Sequence, residues 1–437
     1  MSREKIITAI DLGTEKCITL VASHSDEDRQ LKVLGISVVA SRGVKKSMII
    51  DLEEALSSIS ESLDAVERMA GFDINSAYVA ISGSHIQSRN SKGVVAVANP
   101  HQEIIPEDVE RVIEAARAIS LPSGRQVLHV IPRYFKVDSQ EGIKDPVGMT
   151  GVRLESEAHI ITGMTTSLKN VEKCLNDLGL TVDGFVFSSI ASSEVVLSET
   201  EKELGVVLIE IGAGSSNFCV FVEGSMEFSG SLPIGARHIT QDIALGCRIS
   251  IQAAEKIKLA LSSEKFATIK ARPGESKDDL NKRRKKADKI DLEALGIYET
   301  DDKLSKKVLL EGIMVPRMKE ILQMIAQELN KKNLLTQIPA GVVLTGGGAE
   351  TVGIVDVAKK VFRLPARVGQ PKQLAGLTTD ILSPAYTTAV GLLVYGLAHG
   401  GGAQAKRGIN FNLDFLKSLP LKSAAKGIGD LIKKLLP

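Results

Sequence analysis

Three segments of the chain gather residue types suited to holding phosphate: Asp11-Leu-Gly-Thr-Glu-Lys16, Glu210-Ile-Gly-Ala-Gly-Ser-Ser216 and Gly346-Gly-Gly348. Phosphate oxygens need N–H donors at close range, which glycine permits by lacking a Cβ, and Thr and Ser hydroxyls add more. Asp11 ends an apolar run, the place from which a carboxylate holds a Mg²⁺-bound water beside phosphate oxygens. Gly346 to Gly348 would let an adenosine lie flat against backbone. Neither a P-loop pattern nor G-x-G-x-x-G at a strand–helix junction occurs, which disfavours those two nucleotide sites. The seven histidines share no metal-ligand spacing, and Ser188-Ser189 lacks the surroundings of a nucleophile elbow.

The elements that must carry these turns read as a repeated plan. Residues 5–22 form two β-rich runs joined at a turn, KIITAIDLG and EKCITLVA; residues 205–222 repeat it as GVVLIEIGAG and SSNFCVFV. Superposed, Asp11 falls on Glu210 and Gly13 on Gly212. Such hairpins aim their turn amides at one spot, so two similar α/β lobes are expected to face each other. Apolar spacing predicts helices at 51–70 (stopped by Gly71), 166–178, 185–203, 251–261, 308–330 and 385–398. Residues 85–163 differ in style, with short strands around one helix from Pro106, and read as an inserted subdomain.

Composition fits an ordinary globular protein of about three compact units: 43% hydrophobic, 24% charged, net charge +1. That balance supplies no field for nucleic acid, and aromatics at 4% with no Trp are too few to stack single strands. Four scattered cysteines (Cys17, Cys174, Cys219, Cys247) argue for a reducing cytoplasm rather than a disulfide frame. The opening apolar run stops at Asp11, too short for a signal peptide. Charge is uneven, however. From Lys406 to Pro437 there are seven Lys/Arg and two Asp. Within that tail Ile428, Leu431, Ile432, Leu435 and Leu436 make one helical stripe, flanked by Lys426, Lys433 and Lys434. This is an amphipathic helix that lies on an anionic leaflet, or else docks on the body. Phe411, Leu413, Phe415, Leu416 and Leu419 either extend the attachment or dock. The RRKK run at 283–286 is a solvated face or a phosphate contact.

The order and spacing of the three glycine turns resemble the actin-like ATPase superfamily, with its two phosphate motifs and adenosine motif. Within it the chain is similar to the FtsA family of bacterial cell-division proteins. The likeness spans nearly the whole length, through AIDLGTEK (9–16), PIGARHITQDIA (233–244), AEKIK (254–258), VPRMKEIL (315–322), PAGVVLTGGGAE (339–350) and SPAYTTAVGLLVYG (383–396), with the insertion and the amphipathic tail besides.

The resemblance implies an actin-like two-lobe fold with duplicated phosphate-binding hairpins, an inserted α/β subdomain and a C-terminal amphipathic helix. Lobe 1 would comprise 1–84 with 164–202 and 378–398, and the insertion 85–163. Lobe 2 would have a core of 203–235 with 326–377 and an outer part of 236–325, followed by a linker 399–425 and a membrane helix 426–437. ATP and Mg would be the ligands. Gly13, Thr14, Glu15 and Lys16 would face Gly212, Ala213, Gly214, Ser215, Ser216 and Gly235 across the phosphates, with Asp11 and Glu210 positioning Mg through water. Glu255 and Lys258 would line ribose and adenine, the alternative being an exposed ion pair, and Gly346, Gly347 and Gly348 would back the nucleotide. Implied partners are the FtsZ C-terminal tail (through Arg317, Lys319 and Glu320), further copies in filaments, later division proteins at the insertion, and membrane lipid through Ile428, Leu431, Ile432, Lys433, Lys434, Leu435 and Leu436. The place of action would be the inner face of the cytoplasmic membrane at the division site.

Two departures bear on chemistry. The family's second phosphate motif resembles Asp-x-Gly-Gly-Gly-Thr-Thr-Asp, whereas here Glu210 and Asn217 bracket it. A carboxylate displaced by about 1 Å misplaces an attacking water, so the expectation is at most a weak ATPase that uses ATP structurally. The family's Glu before Pro-Arg is Val315 here. The alternatives are a pilus-assembly platform of the FtsA-like kind and a phosphotransferase of the same superfold, which would need a substrate-side catalytic Asp.

Overall fold

The computed structural model describes residues 4–25, 30–99, 103–263, 275–300, 304–371, 374–376 and 380–400. Two sheets carry the molecule. The first runs, edge to edge, Thr181–Phe187, Ser76–Ile81, Lys5–Leu12, Lys16–His24, Leu31–Ala40 and Ala375–Gly376. The second runs Ser225–Leu232, Ser216–Val222, Val206–Ile211, Gly341–Thr345 and Ala366–Val368. Each is a three-stranded antiparallel meander whose first strand then pairs in parallel with a later strand, itself paired in parallel with a fifth. The duplication therefore extends to five strands per lobe, beyond the two hairpins visible in the sequence. The first strand of each meander has neighbours on both sides, and VVLIEI at 206–211 is buried throughout.

Helices cover these sheets for legible reasons. Asp51 caps Leu52–Ala70 by accepting the Glu54 N–H at 3.1 Å, and Gly71 ends it in the left-handed conformation (φ 80°). Its stripe of Ala55, Ile59, Leu63 and Val66 closes over Ile10, Cys17 and Val21. Between the sheets, helices Ser188–Val196 and Thr387–His399 cross so closely that a Cβ on Gly391 would lie 2.0 Å from the Ala191 carbonyl oxygen. Around them Ala9 and Leu20 of the first sheet share one cluster with Leu208, Cys219 and Phe221 of the second.

Two expected helices are corrected. The span 185–203 divides: Phe185 to Phe187 finish a strand, and the helix after Ser188 ends at Val196 before Ser198 caps a new one, Glu199–Leu204. The span 308–330 does not run as one α-helix. Residues Leu310–Met314 form a π turn ahead of Val315–Lys331, because Pro316 has no N–H to return to the Gly312 carbonyl.

A third sheet, Gln87–Ala96, Arg153–Met164, Arg125–Val137 and Gln140–Ile143, packs under helix Pro106–Arg117. It also leans on the edge strand Ser225–Leu232 of the second lobe. Ser88 Oγ donates to the Ser229 carbonyl (2.6 Å) and Asn90 Nδ2 to the Glu227 carbonyl (3.3 Å), so alternate side chains of one strand satisfy alternate carbonyls of the other. His159, fully buried, donates Nδ1–H to Asn90 Oδ1 (2.7 Å) and accepts from the Ser229 hydroxyl (2.9 Å). Burial pushes its imidazole down to about 3, so it is neutral and this tautomer holds. Arg133 pairs with both Glu157 and Glu227 at the same junction. Among the described residues no helix is long and apolar enough to cross a membrane.

Candidate functional site

The two hairpin turns are built alike. Leu12 pairs with Cys17 and Ile211 with Ser216, and inside each turn the glycine N–H donates to the carbonyl three residues on: Gly13 to Lys16 and Gly212 to Ser215, both at 2.9 Å. Asp11 and Glu210 thus hold equivalent places, two residues ahead of their glycines. The turns also meet. A Cβ on Gly214 would stand 2.4 Å from Thr14 Oγ1, and Arg237 Nη1 reaches across to Glu15 Oε2 at 3.3 Å. Helix Arg237–Cys247 starts directly beneath the second turn. The Ala236 and Arg237 N–H groups donate to the Gly212 and Ala213 carbonyls, each at 2.9 Å. Gly235 is required by that approach, since a Cβ there would lie 2.4 Å from the Gly212 carbonyl oxygen.

Asp11 and Glu210 lie close enough where the lobes join for the charge of one to act on the other. Burial first, and then the Glu210 charge, push the Asp11 carboxyl from 3.8 up to about 7. Glu210 is only 8% exposed, and burial raises its carboxyl too, partly offset by hydrogen bonding, above all from Thr388. Thr388 Oγ1 donates to Glu210 Oε1 at 2.7 Å, while Oε2 is buried with no partner at hydrogen-bond distance, although the Ser188 and Asn217 side chains stand near enough to the carboxylate to favour its charged form. Two neighbouring carboxylates, one with an orphaned oxygen, are a donor set that a divalent cation would satisfy. No group of three or more such side chains gathers among the described residues, so water and ligand oxygens would have to complete a shell.

The remaining expected residues divide into groups. Thr14, Gly214, Ser215 and Ser216 are buried around the meeting point, whereas Glu15 and Lys16 are exposed. The Ser216 hydroxyl is already engaged, donating to the Ile234 carbonyl at 2.8 Å. Glu255 and Lys258 pair (2.7 Å), with the Glu255 side chain 39% exposed and the lysine buried. Lys258 is 8% exposed, and Thr240 joins both by donating to Glu255 Oε2 (2.5 Å) and accepting from Lys258 Nζ (3.0 Å). Gly346 and Gly348 sit on Ile211, the residue just before the second turn: added Cβ atoms would come within 2.6 and 2.4 Å of it. Gly347 alone is open, with its nearest neighbour at 3.8 Å.

One residue of the cleft was not legible in the sequence. Lys46 (φ 51°) and Ser47 (φ 60°) form the two-residue turn of a minute hairpin, Val44–Lys45 with Met48–Ile49. That turn stands between the two phosphate-type turns. The Ser47 N–H donates to Thr14 Oγ1 at 2.9 Å, and the Ser47 and Ser215 hydroxyls share a bond of 2.7 Å across the lobes. Such turns are normally marked by Asn-Gly, and Lys-Ser carries no such mark.

A second concavity, about 330 Å³, lies on the outer part of the second lobe between Asp242, Leu245, Gly246, Gly312, Ile313, Pro316, Arg317 and Glu320. Leu245 is 78% exposed at its rim. The Arg317 guanidinium is fully engaged, with Nε on Asp242 Oδ2 (2.5 Å), Nη2 on Asp242 Oδ1 (3.0 Å) and Nη1 on Glu320; Lys319 is exposed beside it. The π turn at 310–314 forms one wall. The tail residues from Phe411 to Leu436, and the expected linker from residue 401 on, lie outside the described residues, while His399, placed at the start of that linker, still belongs to helix Thr387–His399.

Residues 83–162 match a family model described as an SHS2 domain inserted in FTSA, and residues 207–391 one described as cell division protein FtsA. A cell division protein FtsA of Borreliella burgdorferi is 40% identical over 395 residues, covering 90% of this chain and 91% of that protein. Another, of Pseudomonas aeruginosa, is 38% identical over 395 residues, covering 90% and 89%. Among solved structures, the PilM-PilN type IV pilus biogenesis complex shares the fold at a TM-score of 0.62 and 13% identity, covering 90% of this chain and 98% of that one.

Proposed function

Because the chain belongs to the FtsA family of cell division proteins, we propose that it is an ATP- and Mg-binding adaptor that tethers FtsZ to the inner face of the cytoplasmic membrane and assembles into filaments at the division site. The observation that carries the reading is the pair of equivalent turns meeting at Thr14 and Gly214, with Asp11 and Glu210 close together behind them. When bound, Mg²⁺ would neutralise that pair and phosphate oxygens. Gly13, Thr14, Gly212 to Ser215 and Gly235 would supply donors or room, Gly347 would face the adenosine, and the Glu255–Lys258–Thr240 triad would border the ribose. Glu210 holds its Oε1 on Thr388, a poor posture for orienting water. The ligand therefore acts chiefly as a clamp between lobes, and phosphate release at several turnovers per minute would overturn that part.

The concavity around Leu245 and Arg317 would take the FtsZ C-terminal tail, with Lys319 rather than the engaged Arg317 offering a charge. The apolar stripe Ile428 to Leu436, with its flanking lysines, would lie on an anionic leaflet. Five partly buried apolar side chains at ~1 kcal/mol each, with up to ~1 kcal/mol per nearby Lys, bind one copy reversibly and a filament firmly. The test is cosedimentation of the full chain, with Mg-ATP, on vesicles of phosphatidylglycerol and phosphatidylethanolamine. Deletion of residues 426–437 should abolish it and leave the melting curve in place. Undiminished sedimentation of the deletion variant would overturn the membrane role.

A further inference from the structure

We infer that Ser47 is a specificity-determining residue of the cleft, one that reads the terminal phosphate of a nucleoside triphosphate. The inference rests on the nucleotide reading above and goes beyond it. Its starting point is position. Ser47 lies outside the two turns and, like Arg237, hydrogen-bonds to both, but it does so at their meeting point: its N–H to Thr14 Oγ1 (2.9 Å), and its hydroxyl to Ser215 Oγ (2.7 Å). The backbone beside it is as close, since a Cβ on Gly214 would stand 3.0 Å from Lys46 Cα. An anion held by both turns at once must enter where Thr14 and Ser215 converge, and Ser47 stands there. A hydroxyl pair is a bond between neutral groups, and a phosphate oxygen is the stronger acceptor for either hydroxyl. A phosphate that reaches this point takes the Ser47 hydroxyl from Ser215.

Two further observations bear on it. Lys46 and Ser47 both hold positive φ without being Gly, Asn or Asp, a conformation that persists only where its surroundings impose it and that gathers at ligand clamps and switches. Directly behind the turn lies a cavity of about 140 Å³ lined by Ser47, Met48, Ile49, Ile81, Ser82 and His85, among others. Packed interiors yield little, so a void at the back of a turn is the room a turn needs in order to shift. Lacking the outermost phosphate, a diphosphate has less to offer at this point, and the Ser47–Ser215 bond survives its binding. Ser47 therefore favours triphosphate over diphosphate.

The experiment is calorimetric titration of the full chain with Mg-ATP and with Mg-ADP, for the parent, Ser47→Ala and Ser47→Gly. The parent should prefer ATP. Both variants should lose about tenfold in ATP affinity, as for one hydrogen bond to a charged group, with ADP affinity unchanged. Ser47→Gly should melt no lower than the parent, because glycine accepts the positive φ; a loss of ATP preference in that variant is therefore not a folding defect. An unchanged ratio of the two affinities overturns the inference. Equal weakening of both nucleotides overturns it too, reducing Ser47 to a shaper of the turn. A parent that binds neither nucleotide overturns the underlying reading instead.

Discussion

Replacing Asp11 by Asn tests the neighbouring carboxylates at the heart of the cleft. The Asp11 carboxyl is raised from 3.8 to about 7 by burial and by Glu210. An acid whose value in the folded chain lies above its unfolded value holds its proton more tightly when folded. Its contribution is therefore harmless below about pH 4, turns increasingly destabilising as pH rises toward 7, and is complete above that. A shift of this size corresponds to up to about 4 kcal/mol at neutral pH. Asp11 is only partly buried, so water at the cleft reduces the usable part to about 2 kcal/mol. Asn keeps the shape and removes the charge. Without added cation, Asp11→Asn should thus be more stable than the parent by about 2 kcal/mol at pH 8, and the two should converge near pH 4. Magnesium added alone should stabilise the parent at pH 8 and leave the variant unmoved. Chemical denaturation across this pH range reads both effects. Parallel stability curves, or equal magnesium effects on the two proteins, would refute the reasoning that a cation site is held open here by repulsion.

Four other perturbations follow from observations already given. Gly235→Ala places a methyl 2.4 Å from the Gly212 carbonyl oxygen; it should cost about 1–3 kcal/mol and weaken Mg-ATP binding, and an unaltered melt and titration would show that the second turn tolerates displacement. Leu245→Asp, at an exposed rim, should change stability by less than about 0.5 kcal/mol yet abolish binding of an FtsZ C-terminal peptide in fluorescence anisotropy, whereas Arg317→Ala should lower stability as well, by stranding Asp242. His159→Ala leaves Asn90 and Ser229 without their partner. It should cost about 2–3 kcal/mol and speed hydrogen exchange in Ser225–Leu232, while Val206–Ile211 stays protected; uniform acceleration would mean that the junction is not a separable unit.

What could be foreseen depended on whether the determinant was local. The turn pair was legible because each turn writes its own chemistry: strand, carboxylate, glycine, hydroxyl. From two such hairpins the doubled fold followed, and the shared five-strand order extends it. The third strands, Leu31–Ala40 and Ser225–Leu232, went unnoticed because their burial alternates or is incomplete, leaving no continuous apolar run. Ser47 and Thr388 were invisible for another reason. Nothing local marks either for its role, and each acts through a residue far along the chain: Ser215 in one case, Glu210 in the other. Gly346 and Gly348 teach the converse. Their pattern did point to the cleft, yet packing against Ile211 already demands two of the three glycines.

The inserted subdomain gives the cleft mechanical consequence. It belongs to the first lobe by chain connection and touches it through His129, whose Nε2 accepts the Phe187 N–H of the first sheet at 3.0 Å. It nevertheless fastens to the far edge of the second lobe through Ser88, Asn90, Arg133 and His159. The fastening is polar, and its geometry depends on register: alternate side chains meet alternate carbonyls along a strand pair. A contact of that kind resists sliding, because a shift of one residue along the strand faces each donor with the wrong side of the backbone. An apolar seam would slide with smaller loss. Relative rotation of the lobes at Thr14 and Gly214 must then either carry the insertion along as a rigid arm or break the seam at Ser225–Leu232. Breaking it would cost Glu227 its contacts with Arg133 and Asn90, and the Nε2 of a fully buried histidine its bond to the Ser229 hydroxyl. Moving as an arm would be the less costly course for any such rotation, and the insertion would then follow a change at the phosphate turns.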